Sequence, residues 1–177
     1  MRKVAASLLI ATLVGCAAPV RRSPQDEGVR LDVPYYSDEA GRRGPAALAS
    51  LLSFWDRPTE PRELRDEVRR PRQEGTLPVD LLLAAQARGL QARSYQAAVD
   101  DVKTELKLGH PVLAFVDLGA WLPRGSFVVI TGFDDRLGGF YVHANRHANR
   151  FVEYRSFMSR WDKTGRWALL ITPVGAS

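Results

Sequence analysis

Residues 33–52 read VPYYSDEAGRRGPAALASLL, and the reading of the fold turns on them. From Gly44-Pro45 onward, Leu48, Leu51, Leu52 and Trp55 recur three and four residues apart, the period of a helix that buries one face. Pro45 falls in the first turn, where a helix accepts proline because that N–H has no partner in any case. The pattern predicts a buried helix of about three turns. Val33-Pro34-Tyr35-Tyr36 reads as a short extended segment leading into it.

Working downstream, Thr59 followed by Pro61 and Glu63 opens a second, amphipathic helix with Leu64 and Val68 facing inward. Thr76, Pro78 and VDLLLAAQARG predict a third helix that stops at Gly89. LQARSYQ alternates like a strand, and Val99 to Leu108 is a short charged helix ended by Gly109. Pro111 to Leu118 and Ser126 to Phe133 are β-rich apolar runs suited to central strands. FYVHA and RFVEY flank a turn at Asn145 to Asn149, which predicts a hairpin. FMSRWDKTG is a short helix, and RWALLITP a closing strand. Helices come first and an antiparallel sheet follows, so the expected class is α+β with the first helix packed on the sheet.

Working upstream, residues 17–30 (AAPVRRSPQDEGVR) are polar and rich in charge and proline, and read as a tether. Before them, Arg2 and Lys3 precede an apolar run of 12 residues, Val4 to Gly15. That run suits a secretory signal and falls short of the roughly 20 apolar residues that span a bilayer. It ends in Leu13-Val14-Gly15-Cys16, which resembles the lipobox of bacterial lipoproteins; a plain signal peptide that happens to hold a cysteine is the simpler alternative. The lipobox implies lipidation of Cys16, and several acyl chains anchor a protein stably where one does not. Ala17 stands where an inner-membrane retention signal usually has Asp, which favours the outer membrane. The expected organisation is a signal over 1–15, a lipidated tether over 16–30 and one domain over 31–175.

Composition narrows the classes. With 177 residues, 45% hydrophobic and 25% charged, the chain has the balance of one ordinary globular domain. The net charge of +5 includes Arg2 and Lys3 of the leader, and what remains is too small to argue for nucleic acid, so no nucleic-acid partner is expected. Cys16 is the one cysteine, so no disulfide and no thiol serves anything after it.

Three parts of the chain resemble a known family. VPYYSDEAGRRGPAALASLL is similar to the active-site segment of bacterial cysteine peptidases of family thirty-nine, the double-glycine leader peptidases and their stand-alone relatives. EGTLPVDLLLAAQARGLQARSY is similar to the helix and strand that follow it there. GHPVLAFVDL, SFVVITGFDD and TGRWALLITP are similar to the core strands. The resemblance covers about residues 31–173 and implies a papain-like fold. In that family a cysteine precedes Gly-Pro-Ala-Ala-Leu-Ala, at a helix N-terminus whose free N–H groups and dipole stabilise a thiolate. A glutamine five residues earlier supplies an oxyanion donor, a histidine heading a core strand is the base, and a later Asp or Asn orients it.

Against that pattern the chemistry is gone. Arg43 takes the nucleophile's place, and a guanidinium does not lose its proton near neutral pH. Asp38 stands at the glutamine position, where a carboxylate repels an oxyanion. Ser126 stands at the histidine position. The orienting position falls near His143 to Asn145. The expectation is a lipid-anchored, catalytically inactive peptidase-like domain that binds a peptide or protein, with Arg43, Asp38 and Ser126 as ligand-contacting positions and with no cofactor.

The residues allow other readings. A hydrolase rebuilt on Ser126 would need a base within reach, and His143 is the candidate. His143 and His147 have a four-residue spacing that suits a metal on a helix, but they fall in a hairpin turn, where solvent-exposed histidines are the plainer reading. Asp134-Asp135 reads as turn capping before it reads as a paired acid/base site. The arginines at 62, 65, 69, 70 and 72 read as a solvated helix face, with contact to anionic lipid as the alternative. A purely structural envelope lipoprotein is the third class.

Overall fold

A computed structural model describes residues 27–37, 43–68, 76–117, 125–144 and 146–175 of the chain, with the backbone alone at Arg43. Three helices come first: α1 (Arg43–Phe54), α2 (Pro61–Val68) and α3 (Pro78–Gln86). Leu48, Leu51 and Leu52 of α1 are fully buried, as their spacing requires. The helix ends where Asp56 takes a left-handed conformation and the Arg57 amide bonds back to the Leu52 carbonyl, satisfying one of the last orphan acceptors. In α2, Leu64 and Val68 are the buried positions, while Glu67 makes a two-pronged pair with Arg88 at the end of α3.

The strands are β1 (Gly28–Arg30), β2 (Leu90–Gln96), β3 (Val112–Val116), β4 (Ser126–Asp134), β5 (Gly139–Ala144), β6 (His147–Glu153) and β7 (Trp167–Pro173). They form one seven-stranded sheet in the order β2-β7-β3-β4-β5-β6, with β1 paired to β4 and every described pairing antiparallel. The remaining helices are α4 (Val99–Lys107) and α5 (Tyr154–Trp161). No helix among the described residues is long and apolar enough to cross a membrane.

The sheet divides the apolar interior in two. Leu113, Phe127, Val129, Leu169 and Ile171 face α1, α2 and α3. Val112, Ala114, Val116, Val128, Ile130, Val142 and Leu170 face α4 and α5, whose Val102, Leu106, Phe157 and Trp161 complete that core. This is the expected α+β class with α1 packed on the sheet, and α4 and α5 add a helical layer on the other face. Strands buried on both faces read as continuous apolar runs, which is why PVLAFVDL and SFVVITGF lack alternation.

Two details depart from the sequence reading. Gly28–Arg30 belongs to the sheet although its composition groups it with the tether. It takes the edge of β4 beyond the start of β3, pairing with Gly132–Asp134. A side chain at Gly132 would stand 2.3 Å from the Val29 carbonyl oxygen, so the pairing depends on the bare glycine. The hairpin turn is also tighter than expected. His147 already pairs with Ala144, and the extra residue is absorbed by a bulge on β6 with Asn149 at a positive φ of 49°.

Candidate functional site

β4 begins at Ser126, opposite Val116 of β3. Alternate residues of a strand share a face, so Ser126 and Val128 turn toward α5 while Phe127 and Val129 turn toward α1. Val142 and Ala144 of β5 share the face of Ser126, and Phe157, Ser156 and Arg160 of α5 close over it. Arg150 and Val152 of β6 form the outer wall. These groups enclose a cavity of about 90 Å³, apolar at its floor and cationic at its mouth. Ser126 is only 1% exposed, and its hydroxyl reaches the Phe127 carbonyl at 3.5 Å, the outer limit of a hydrogen bond.

This cavity is where the resemblance places the base and its orienting partner. Of His143 and Ala144, the described candidates for the orienting role, the one beside Ser126 is Ala144. The two positions therefore carry a hydroxymethyl group and a methyl group. Neither takes up a proton at neutral pH.

His143 lies elsewhere. It pairs with Val129, so its ring is on the α1 side of the sheet, across the backbone from Ser126. Its Nε2–H donates to the Val33 carbonyl at 2.9 Å, and its Nδ1 accepts the Asn149 backbone N–H at 3.0 Å. The ring of Tyr35 meets it edge-on with centroids 5.3 Å apart. Burial pushes its pKa below the ordinary imidazole value and Arg30 adds to that, while the Val33 hydrogen bond partly opposes them. This corrects the expectation of a solvent-exposed turn histidine: His143 is 5% exposed and structural. Both ring nitrogens are committed, so it can neither activate Ser126 nor bind a metal with His147. His147 pairs with Ala144 and so points to the other face.

The remaining candidates resolve into local roles. Asp134 accepts the Leu137 N–H at 2.9 Å and caps the β4–β5 turn, as its position suggests. Asp135 bridges Lys103 of α4 at 2.7 Å and the Tyr154 hydroxyl of α5 at 2.7 Å. Burial alone would raise the Asp135 pKa, and those two hydrogen bonds outweigh it and lower it. Arg62 of α2 is exposed and Arg65 pairs with Asp66 at 3.0 Å, in keeping with a solvated face. Arg69, Arg70 and Arg72 lie outside the described residues. So do Cys16, Asp38 and the side chain of Arg43, whose backbone opens α1. Gly44, next to it, packs against Thr76.

One polar group escaped the sequence reading. His110 Nδ1 bonds Glu105 at 2.9 Å, and the other oxygen of Glu105 pairs with Arg93 at 2.8 Å. The chain of three lines a second cavity of about 480 Å³ at the opposite end of β3. Strand β2, helix α4 and the start of β3 supply one member each, so no local spacing announces it. The arrangement reads as a buttress between these three elements.

The sequence model of the Peptidase C39 family matches residues 37–174. Among solved structures, the chain is similar to a double glycine motif protease from an AMS/PCAT transporter, in complex with its leader peptide. That pair shows a TM-score of 0.66 and 23% identity, over 84% of this chain and 99% of that one. It is similar to the peptidase domain of Streptococcus ComA, with a TM-score of 0.65 and 22% identity over 78% and 97%. A C39-like peptidase from Bacillus anthracis aligns at a TM-score of 0.70 and 16% identity over 83% and 98%. At these identities the likeness is one of fold. A comparison with curated proteins returns no match. Matched along most of its length, with sheet and helices in the same arrangement, the chain belongs to the Peptidase C39 family.

Proposed function

We propose that this protein is a lipid-anchored, catalytically silent member of its family that binds peptide or protein in the cell envelope. The observation that carries the reading is the meeting of Ser126 and Ala144 in one cavity, where an acid–base pair would have to stand. Hydrolysis of an amide by this fold needs a thiolate, a base to shuttle its proton and an oxyanion donor. Arg43 cannot supply the first, Ser126 and Ala144 cannot supply the second, and Asp38 opposes the third. The only thiol, Cys16, sits in the lipobox-like segment.

In this reading Arg43, Asp38 and Ser126 are the positions that contact the ligand. The solved relative from the AMS/PCAT transporter holds a leader peptide on this same fold, which supports a peptide as the class of ligand. The lipobox, together with Ala17 after it, supports anchoring to the outer membrane facing the periplasm.

A peptide library incubated with the purified full-length chain tests the reading. Expected is saturable binding of a subset of peptides with no cleavage and no effect of thiol alkylation. Cleavage that requires a reduced thiol would sink it.

A further inference from the structure

The proposal rests on the peptide-binding reading and names what the vacated cavity holds. Arg150 on β6 and Arg160 on α5 flank its mouth, and both are exposed. Neither guanidinium has a hydrogen bond or ion pair among the described residues, whereas Arg88 is paired with Glu67 and Arg93 with Glu105. Among the described residues no carboxylate lines the cavity. The acidic residue close by, Asp117, is engaged with Lys163 at 3.2 Å. Two unpaired cations facing one small opening form an anion-selective mouth.

The floor sets the other half of the ligand. Val116, Val128, Val142, Val152 and Phe157 are apolar; of the two serines that line the cavity, Ser156 is exposed and Ser126 is the buried one. That hydroxyl is buried with one marginal partner, so it has a donor to offer a ligand at little cost. A free phosphate would leave the apolar walls unsatisfied, and a long acyl chain exceeds the space. β6 is also the last strand of the sheet, so its outer edge can pair with an extended backbone and lead its end past Arg150.

We infer that this cavity binds the C-terminal residue of a peptide: the carboxylate between Arg150 and Arg160, a small apolar side chain on the valine and phenylalanine floor, and the Ser126 hydroxyl donating to a carboxylate oxygen. The step is one of binding only, and no bond is made or broken.

Titration calorimetry of the full-length chain with acetyl-Ala-Ala-Leu tests it, in the free-acid form and as the C-terminal amide. Expected is saturable binding of the acid, weakened tenfold or more by amidation and by the Arg150→Gln/Arg160→Gln double substitution, and severalfold by Ser126→Ala. Equal affinity for acid and amide would overturn the carboxylate site while leaving peptide binding intact. Acid binding that the double variant retains would overturn it in the same way. Octanoate binding as tightly as the peptide acid would replace the peptide end with a lipid acid and overturn the assignment. If no peptide of the library or of this pair binds, both readings fall together. The exposed arginines contribute nothing to the core, so a folded double variant is expected, and its thermal transition checks this.

Discussion

At the scale of single residues, His143 shows how a chemically capable side chain becomes a structural one. Its two nitrogens satisfy Val33 and Asn149, tying the segment before α1 to the β5–β6 hairpin. His143→Ala leaves the buried Val33 carbonyl without its partner, at roughly 1–3 kcal/mol, and the half-buried Asn149 amide without its own, at about 1 kcal/mol. The expected loss is about 2–4 kcal/mol in a denaturant-unfolding experiment, with the fold otherwise kept. The same residue gives acid sensitivity a definite sign. Its folded pKa lies below the ordinary value of 6.5, so its contribution is complete above that pH. As the pH falls below it, the unfolded chain takes up a proton that the native state resists, and stability declines. A denaturation midpoint that drops from pH 8 to pH 5 in the wild type, and drops less in His143→Gln, is the expected outcome. Equal slopes would remove His143 from the account.

At the scale of elements, the sheet's irregular parts are the informative ones. β1 is three residues long and is held by pairing to Gly132–Asp134 and by the Leu31 N–H donated to the Thr131 carbonyl at 2.8 Å. Adding one methyl group at Gly132 pushes against the Val29 carbonyl and the Arg30 Cα. Gly132→Ala should therefore cost about 1–3 kcal/mol through overpacking. The loss should be local: the amides of β1 and Leu31 lose hydrogen-exchange protection while those of α1 keep theirs. Uniform loss across the domain would mean that β1 is integral to the cooperative core. On the α4–α5 face, Lys103, Asp135 and Tyr154 join two helices to one turn, and the ammonium lies 4.8 Å from the centre of the Tyr154 ring. That triad explains two adjacent aspartates with different duties, one capping and one bridging.

At the scale of the whole molecule, the proposal joins a lipidated leader to a domain without a working nucleophile. Anchoring through Cys16 makes a prediction that is independent of the cleft. In cells, Cys16→Ser should move the chain from the membrane fraction to the soluble fraction, since the described helices supply no membrane-spanning segment. Fractionation with mass analysis of the N-terminus checks it, and an unchanged membrane fraction would remove the lipobox reading. The double-arginine variant should leave that partition as it is, so anchoring and ligand binding are separable.

Several features were legible in the residues alone, because they follow from local physics. Periodic leucines marked α1, Pro45 and Pro78 marked helix starts, and unbroken valine and isoleucine runs marked strands buried on both faces. Two further facts are independent of the fold: the single cysteine is at position 16, and Arg43 is a cation in any fold. Which side of the sheet each group faces was decided only by the tertiary structure. Strand parity and the β6 bulge are set by pairing across the sheet, so Ser126 and His143 parted company while Ser126 met Ala144, and Arg150 and Arg160 came to flank one opening from different elements. Composition could not reveal that β1 joins the sheet either, since its stability comes from a glycine on β4 about a hundred residues away.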